Sequence, residues 1–246
     1  ELIWPPYLAA RDQPAANPDP DHLAHWALWE LYHNVPCLRT TKFSLPSIDA
    51  MARSTDERWI VLSARAQKPL VVDARTRAVT HEVDLKSSHT GAVSFRPERA
   101  EFAVAGFDGR VTVCDAETGE IVRSVAPDAR VHSVFYSPSG NRLFAAAMNS
   151  VRVLNADDLG ETLRIDVPET VVTSVAMDRG ERLIALSGAD GRMWLCDPAT
   201  GRRDTPFFTD GRRCSSLAFS PDDRFLATDT NGTTVAVIEV ATRNVV

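Results

Sequence analysis

The sequence predicts an all-β protein, a β-propeller of four-stranded antiparallel blades with one short helix near its N-terminus. Three observations support this fold class. A unit of roughly forty residues recurs along the chain. Each unit alternates short stretches rich in Val, Ile, Leu and Phe with turns rich in Gly, Asp, Asn and Pro. One such sheet cannot bury both of its faces alone, so successive sheets must stack, and radial stacking gives a propeller.

The repeat divides the chain into five units, at residues 48–85, 92–125, 131–167, 171–208 and 214–246. We align the units on Arg58, Glu101, Arg142, Arg182 and Arg224, which lie 43, 41, 40 and 42 residues apart. The last unit stops where its fourth strand begins, so we expect the chain to be cut from a longer array and the complete ring to be larger. In the alternative, an N-terminal strand at 38–45 completes the last sheet.

Turn chemistry within the units predicts tight hairpins. An Asp-Gly or Asn-Gly pair recurs between the second and third predicted strands, where glycine accepts positive φ at little cost. These structural turns are Asp108-Gly109, Asp190-Gly191 and Asn231-Gly232.

Residues 107–119 and 189–201 resemble the second hairpin of a WD repeat, and the resemblance extends over about 47–246. At the family's Trp-Asp position this chain has other pairs, namely Val72-Asp73, Cys114-Asp115, Leu154-Asn155, Cys196-Asp197 and Ile238-Glu239. The resemblance implies a propeller that binds other proteins. Residues 233–242 are also similar to YVTN-type propeller repeats, whose members are often extracytoplasmic.

Residues 1–37 are predicted to form a separate region, a Pro-rich arm followed by an amphipathic helix, and residues 38–246 the propeller. Asp19 is a favourable N-cap and Pro36 ends the helix. Trp26 and Trp29 lie on the apolar side of this helix. We expect the helix to pack on the flank of the propeller, and the alternative is that the two tryptophans dock a partner.

Composition argues against several classes of function. The net charge of −6 makes nucleic acid an unfavourable partner, and the sequence lacks the apolar run of about 18 residues that a membrane-spanning helix needs. The four cysteines are widely spaced and form no zinc or disulfide pattern. Because the usual catalytic and phosphate-binding motifs are also missing, we predict no enzyme activity, no cofactor and no metal.

Two further groups are candidates for binding. Arg202, Arg203, Arg212 and Arg213 form the main basic cluster and could meet an acidic partner, although charged turns in solvent explain them equally well. On the predicted first strands, Asp49 and His132 are the side chains suited to hold a ligand in a central channel.

The sequence thus predicts a non-catalytic scaffold or sensor that binds a protein partner or another domain of its own polypeptide. Arg outnumbers Lys by 24 to 3, which is typical of GC-rich coding and indicates a bacterial source. Because the last unit stops inside a strand, we expect the chain to belong to a larger multidomain protein or complex. We expect a cytoplasmic location. The alternative is an extracytoplasmic, YVTN-like propeller that binds a ligand, or acts as an enzyme, in its channel.

Overall fold

The computed structural model describes residues 48–64, 67–85, 90–106, 108–126, 130–208, 213–214, 216–230 and 234–246. Within these ranges every regular element is a strand, so no helix there is available to cross a bilayer. The predicted arm and helix at 1–37 and the predicted strand at 38–45 lie outside the described residues, and so do Asn231 and Gly232.

The described strands form five antiparallel sheets that follow one another in chain order. The first sheet contains β1 (Ala50–Arg53), β2 (Trp59–Ser63), β3 (Leu70–Asp73) and β4 (Val79–Glu82). The second contains β5 (Thr90–Phe95), β6 (Glu101–Gly106), β7 (Val111–Asp115) and β8 (Ile121–Val125). The third contains β9 (Val131–Tyr136), β10 (Arg142–Ala147), β11 (Ser150–Asn155) and β12 (Glu161–Asp166). The fourth contains β13 (Val172–Met177), β14 (Ile184–Gly188) and β15 (Met193–Cys196), and the fifth contains β16 (Leu217–Phe219), β17 (Phe225–Thr230) and β18 (Thr234–Glu239).

The last two sheets have a reduced fourth strand. In the fourth sheet, β15 is met by isolated bridges from Arg203 and Phe207. In the fifth sheet, Val245 bridges Ile238 of β18. The prediction of four strands per unit is therefore confirmed in three sheets, and in the other two the fourth position is occupied only by these bridges.

The turn between the first and second strands of a sheet, called here the first-hairpin turn, has one hydrogen-bond pattern in all five sheets. The backbone N–H of its first residue donates to the carbonyl of the residue five positions on, as from Ser54 to Trp59 and from Arg96 to Glu101. The five acceptors are Trp59, Glu101, Arg142, Leu183 and Phe225.

This pattern corrects our alignment of the repeats. Arg58, Arg182 and Arg224 each precede the equivalent position by one residue. Because successive side chains of a strand point to opposite faces, this slip exchanges the face of the sheet on which each side chain lies. The slip was not visible in the sequence, because an arginine precedes the apolar residues of the second strand in four of the five units.

The turn between the third and fourth strands, called here the second-hairpin turn, is equally regular. Its first residue accepts at its carbonyl from the N–H four positions on, as in Asp115 to Gly119. That later residue has positive φ in every sheet, at Arg77, Gly119, Leu159, Gly201 and Arg243. Asp73 and Asp115 also accept backbone N–H bonds at Oδ1. This is the position at which the sequence resembles the Asp of a WD repeat.

Apolar residues fill the space between each pair of successive sheets. Phe102 and Val71 belong to the core between the first and second sheets, and Leu143 and Val113 to the core between the second and third. Between the third and fourth sheets, Phe144 stacks on Phe135 with ring centroids 4.6 Å apart. Each core draws residues from two neighbouring sheets, which confirms that the sheets stack side by side in chain order.

Candidate functional site

The predicted Asp-Gly turns that the structure describes connect the second strand of a sheet to the third. Gly109 and Gly191 have φ of 85° and 80°. Asp108 accepts from the N–H of Arg110 at 3.1 Å, and Asp190 accepts from the N–H of Arg192 at 3.2 Å. The described turns therefore have the conformation that their sequence predicts, and the side chains of Asp108 and Asp190 hold the backbone.

The candidate docking residues are only partly described, since Trp26, Trp29 and Arg212 lie outside the described ranges. Arg203 donates two hydrogen bonds to Glu169, at 3.0 and 3.2 Å, and its guanidinium lies 5.6 Å from the centroid of the Trp194 ring. Arg202 and Arg213 are exposed. Because Arg203 is paired with Glu169, its charge is already partly neutralised within the chain. A role of the basic cluster in binding a partner stays a prediction.

The buried cysteines are not placed for chemistry. Burial raises the pKa of the Cys114 and Cys196 thiols to about 12. Each thiol stays protonated near neutral pH, and only the thiolate is a strong nucleophile or metal ligand. Both residues therefore contribute to the core as small apolar side chains, as their matched positions predict.

His132 lies on β9, the first strand of the third sheet, and its Nε2 is 3.1 Å from the carbonyl oxygen of Ala147. Burial lowers the pKa of His132, which favours the neutral imidazole. Asp49 directly precedes β1. Among the described residues no three His, Cys, Asp or Glu side chains come together as a group that could hold a metal.

The first- and second-hairpin turns lie at the same edge of each sheet, called here the turn edge, and partly buried charged side chains lie there. At the turn edge between the second and third sheets, the space is filled by Arg96, whose side chain is 3% exposed. Its Nε donates to the carbonyl of Gly140 at 2.8 Å, and its Nη1 donates to the carbonyl of Ala156 at 3.3 Å. Its Nη2 donates to Asp157 at 2.7 Å, and Nη1 also reaches Glu101 at 3.1 Å.

The charges around Arg96 support one another. Burial alone would lower the pKa of Arg96, but the hydrogen bonds to Asp157 and Glu101 raise it above its ordinary value. The same contact with Arg96 lowers the pKa of Asp157. Arg123 donates a second bond to Glu101 at 2.7 Å. The guanidinium of Arg96 is thus charged, and its hydrogen bonds join the second sheet to both turns of the third.

Between the third and fourth sheets a second arginine fills the corresponding place. Arg142 donates from Nη1 to the carbonyl of Pro198 at 3.2 Å and from Nη2 to Glu181 at 3.4 Å. Pro198 is the repeat equivalent of Ala156, since each follows the first residue of its second-hairpin turn. Glu181 also accepts from the N–H of Ser139 at 2.6 Å.

Between the first and second sheets an aromatic side chain takes this role. Trp59 is 4% exposed and packs with Cys114 and Ala116 of the second sheet. Beside it, Arg58 pairs with Glu117 at 2.7 Å across the two sheets. Each of these three junctions is therefore filled by a large side chain of the earlier sheet.

The fourth and fifth sheets share an apolar core, but at the turn edge their junction is not filled. A cleft of 440 Å³ lies there, lined by Arg182, Leu183, Asp222, Asp223, Arg224, Glu239, Val240 and Ala241. Leu183 stands where the earlier junctions have Trp59, Glu101 and Arg142, and Asp178 stands where Arg96 does. Val240 is the repeat equivalent of Ala156 and Pro198. Neither equivalent position carries an arginine. Arg182, one residue before Leu183, is 75% exposed and lies 3.8 Å from Asp223 of the fifth sheet, at the wall of the cleft.

The arginine side chains that link neighbouring sheets, Arg96 and Arg142, were not predicted from the sequence. One signal was present: the first residue of the first-hairpin turn is Ser54, Ser137, Asp178 or Ser220 in four sheets, and Arg96 in the remaining one. The short polar side chains accept a hydrogen bond within their own turn, as Ser137 does from the N–H of Arg142. Arginine cannot accept that bond, so the exception in the repeat marked a residue with another role.

The stacked antiparallel sheets define the class of protein, which is a β-propeller. In a comparison with solved structures, the chain is similar to Kuenenia stuttgartiensis hydrazine synthase, with a TM-score of 0.75 and 18% sequence identity. The similarity covers 85% of this chain and 68% of that chain. At this identity it shows the fold alone. No family model matches the sequence, and no curated protein matches it.

Proposed function

We propose that this chain is a WD-repeat-like propeller that acts as a non-catalytic protein-interaction module, a scaffold or sensor, within a larger bacterial multidomain protein or complex. One observation carries the proposal. The far face of the fifth sheet, the face turned away from the fourth sheet, exposes apolar side chains that the repeat elsewhere buries.

The exposed residues of this far face are Val235 and Val237 on β18, which are 72% and 38% exposed. Their repeat equivalents on β11 are Val151 and Val153, which are 0% and 1% exposed because the fourth sheet covers them. The strand registers establish the equivalence: Val153 pairs with Phe144 of β10, and Val237 pairs with Ala227 of β17. An apolar sheet face of this kind is stabilised when another sheet packs on it.

We infer that the occupant of this face is a β-rich segment, supplied by a protein partner or by another domain of the same polypeptide. Such a segment would repeat the packing that β13 and β14 provide on the third sheet. The regular second-hairpin turns, with Asp73 and Asp115 at the WD-type position, support the WD-repeat part of the proposal.

The proposal includes a cytoplasmic location, a role in signalling, and function without a cofactor. The net charge of −6 favours protein over nucleic acid as the partner. The observed far face adds a physical reason for association, because covering it removes apolar surface from water.

Site-specific photo-cross-linking in cells that express the protein tests the proposal. A cross-linker in place of Val235 is expected to give a discrete adduct with another polypeptide, or with another domain of the full-length protein. A matched control replaces Ile121, which is 44% exposed on the fourth strand of the second sheet, and should give no such adduct. In a Val237→Asp background the adduct at 235 should disappear.

Equal labelling from positions 235 and 121, or an adduct that survives Val237→Asp, would overturn the proposal. A stoichiometric metal or small molecule in the purified protein would instead support the channel-binding propeller. Elemental analysis and native mass spectrometry detect either one.

A further inference from the structure

We propose that the cleft between the fourth and fifth sheets binds an arginine side chain of a partner polypeptide. The partner's guanidinium would take the position that Arg96 and Arg142 of this chain fill at earlier junctions. The inference rests on the proposed interaction function, names a second contact apart from the far face of the fifth sheet, and specifies the chemistry of the group bound there.

The internal repeat supplies the template for the bound guanidinium. At two junctions an arginine Nη1 donates to the carbonyl of the second residue of the next sheet's second-hairpin turn, Ala156 at 3.3 Å and Pro198 at 3.2 Å. Val240 holds the equivalent position in the fifth sheet and lines the cleft. Within the described residues no arginine side chain donates to its carbonyl oxygen, so the same acceptor is present without its cation.

The walls of the cleft suit the rest of an arginine side chain. Leu183, Val240 and Ala241 provide an apolar surface for the methylene groups, since arginine buries its stem and keeps its charged head near polar groups. The volume of 440 Å³ is ample for one such side chain. At the three filled junctions, the side chain of Trp59 or of an arginine occupies the corresponding space.

The charges at the cleft favour a cation. Three carboxylates, those of Asp222, Asp223 and Glu239, line it together with two guanidinium groups, those of Arg182 and Arg224. Arg224 lies over the ring of Phe225, with its guanidinium carbon 5.3 Å from the ring centroid. The lining therefore has three acidic and two basic side chains. Asp223 already accepts from the N–H groups of Arg179 and Gly180 and lies 3.8 Å from Arg182. Asp222 and Glu239 are the carboxylates left for a bound cation.

A buried carboxylate lies next to two of the residues that line the cleft. Asp178 is 1% exposed, and its Oδ1 accepts from the N–H groups of Arg182 and Leu183, both of which line the cleft. Its Oδ2 is buried and accepts no hydrogen bond from the described residues, and its charged neighbour is the Nε of Arg182 at 3.5 Å. The side chain of Arg182 is 75% exposed, so this pairing is weakened by solvent. The Asp178 carboxylate thus holds the backbone of Arg182 and Leu183 in place at one wall of the cleft.

The test uses N-acetyl-arginine N-methylamide as the probe and the citrulline analogue as its neutral control. Titration into the isotopically labelled full chain, followed by amide NMR, is expected to give saturable shifts at Leu183, Val240 and Ala241 with the arginine probe. The citrulline probe should bind at least about fivefold more weakly, because it lacks the charge that the carboxylates attract.

Two variants taken from the repeat itself sharpen the result. Leu183→Arg introduces the residue that fills the third junction and should abolish binding of the probe by occupying the cleft. Leu183→Glu introduces the residue that contacts Arg96 at the second junction and should tighten binding by about fivefold. Leu183→Met is the control of similar volume, and near-ultraviolet circular dichroism checks that each variant is folded.

Identical shifts with both probes in the wild-type chain overturn the inference, and so does undiminished binding to a folded Leu183→Arg variant. If that variant does not fold, a failure of Leu183→Glu to strengthen binding overturns it. These outcomes are independent of the cross-linking at position 235. An adduct at 235 without probe binding leaves the proposed function in place and removes only the arginine site.

Discussion

Arg96 donates a hydrogen bond from Nε to the carbonyl oxygen of Gly140, 2.8 Å away and 44 positions along the chain. This bond joins the first-hairpin turns of two neighbouring sheets. The guanidinium also meets the second-hairpin turn at Ala156 and Asp157. One buried side chain therefore links three turns.

Replacing Arg96 with Met should destabilise the protein by about 3 kcal/mol, because it removes the buried partner of Glu101 and the donor to the carbonyls of Gly140 and Ala156. Of its two charged partners, Glu101 is 15% exposed and retains Arg123, and Asp157 is 66% exposed and retains Arg99. Urea unfolding followed by fluorescence measures the change. The matched control is Arg99→Met, since Arg99 is 56% exposed and pairs with Asp157 at 3.7 Å. It should cost less than about 1 kcal/mol, and equal losses in the two variants would contradict the role of Arg96.

Gly119→Ala should destabilise the protein more than Gly140→Ala. Both glycines have positive φ, 73° and 71°, so a side chain at either position adds about 1 kcal/mol of backbone strain. A Cβ at Gly119 would also lie 2.8 Å from His81, whereas a Cβ at Gly140 would have its nearest neighbours at 3.4 Å. Thermal unfolding of the two variants measures the difference, and a Gly140 variant as unstable as the Gly119 variant would show that the contact with His81 is not tight.

Acidification should destabilise the fold partly through Glu181. Burial alone would raise the pKa of Glu181, but hydrogen bonds from Ser139 and the charge of Arg142 hold it below its ordinary value of 4.5. Because the folded-state pKa is the lower one, this contribution is fully present above the unfolded pKa and is lost as pH falls through the folded value. The free energy of unfolding should therefore drop between pH 6 and pH 3, over roughly the range in which a carboxylate titrates.

The variant Glu181→Gln should reduce the size of that drop, since its amide does not titrate. Urea unfolding at several pH values compares it with the wild-type chain. A pH dependence that is the same in both proteins would mean that Glu181 contributes nothing to it.

Cys114 and Cys196 should resist alkylation in the folded protein. Burial raises the pKa of each thiol to about 12, so the reactive thiolate is scarce and the sulfur is also shielded from solvent. Peptide mass spectrometry after iodoacetamide treatment should find both residues unmodified at pH 8 and fully modified in urea. Rapid modification of either cysteine in the folded state would contradict the packing described for β7 and β15.

The sequence predicts the local part of this fold well. Period-two patterning identifies the strands, and Asp-Gly pairs identify turns such as Asp108-Gly109, because the conformational preference of each turn resides in the residues that form it. Stacking in chain order also follows, since no sheet of this size can cover its own faces. The strands and turns need only contacts between residues close in sequence, and the stacking follows from the apolar faces of each sheet.

The junctions between sheets could not be predicted in the same way. The bonds of Arg96 to the third sheet reach residues 44 to 61 positions away, and their geometry depends on how two sheets pack. Likewise, the open cleft at Leu183 results from a side chain that is smaller than its counterparts Trp59 and Arg142. The one-residue slip in our repeat alignment, at Arg58 and Arg182, would have assigned the wrong side chains to these junctions.

A crystal structure of the chain would show whether the same two hairpin turns recur in five stacked sheets and whether side chains join the sheets at these turns. We expect the Arg96 guanidinium to lie within hydrogen-bond distance of Gly140, Ala156 and Asp157, and no side chain of the fourth sheet to fill the cleft beside Val240. An Arg96 side chain in solvent, or sheets that pack out of chain order, would contradict this expectation.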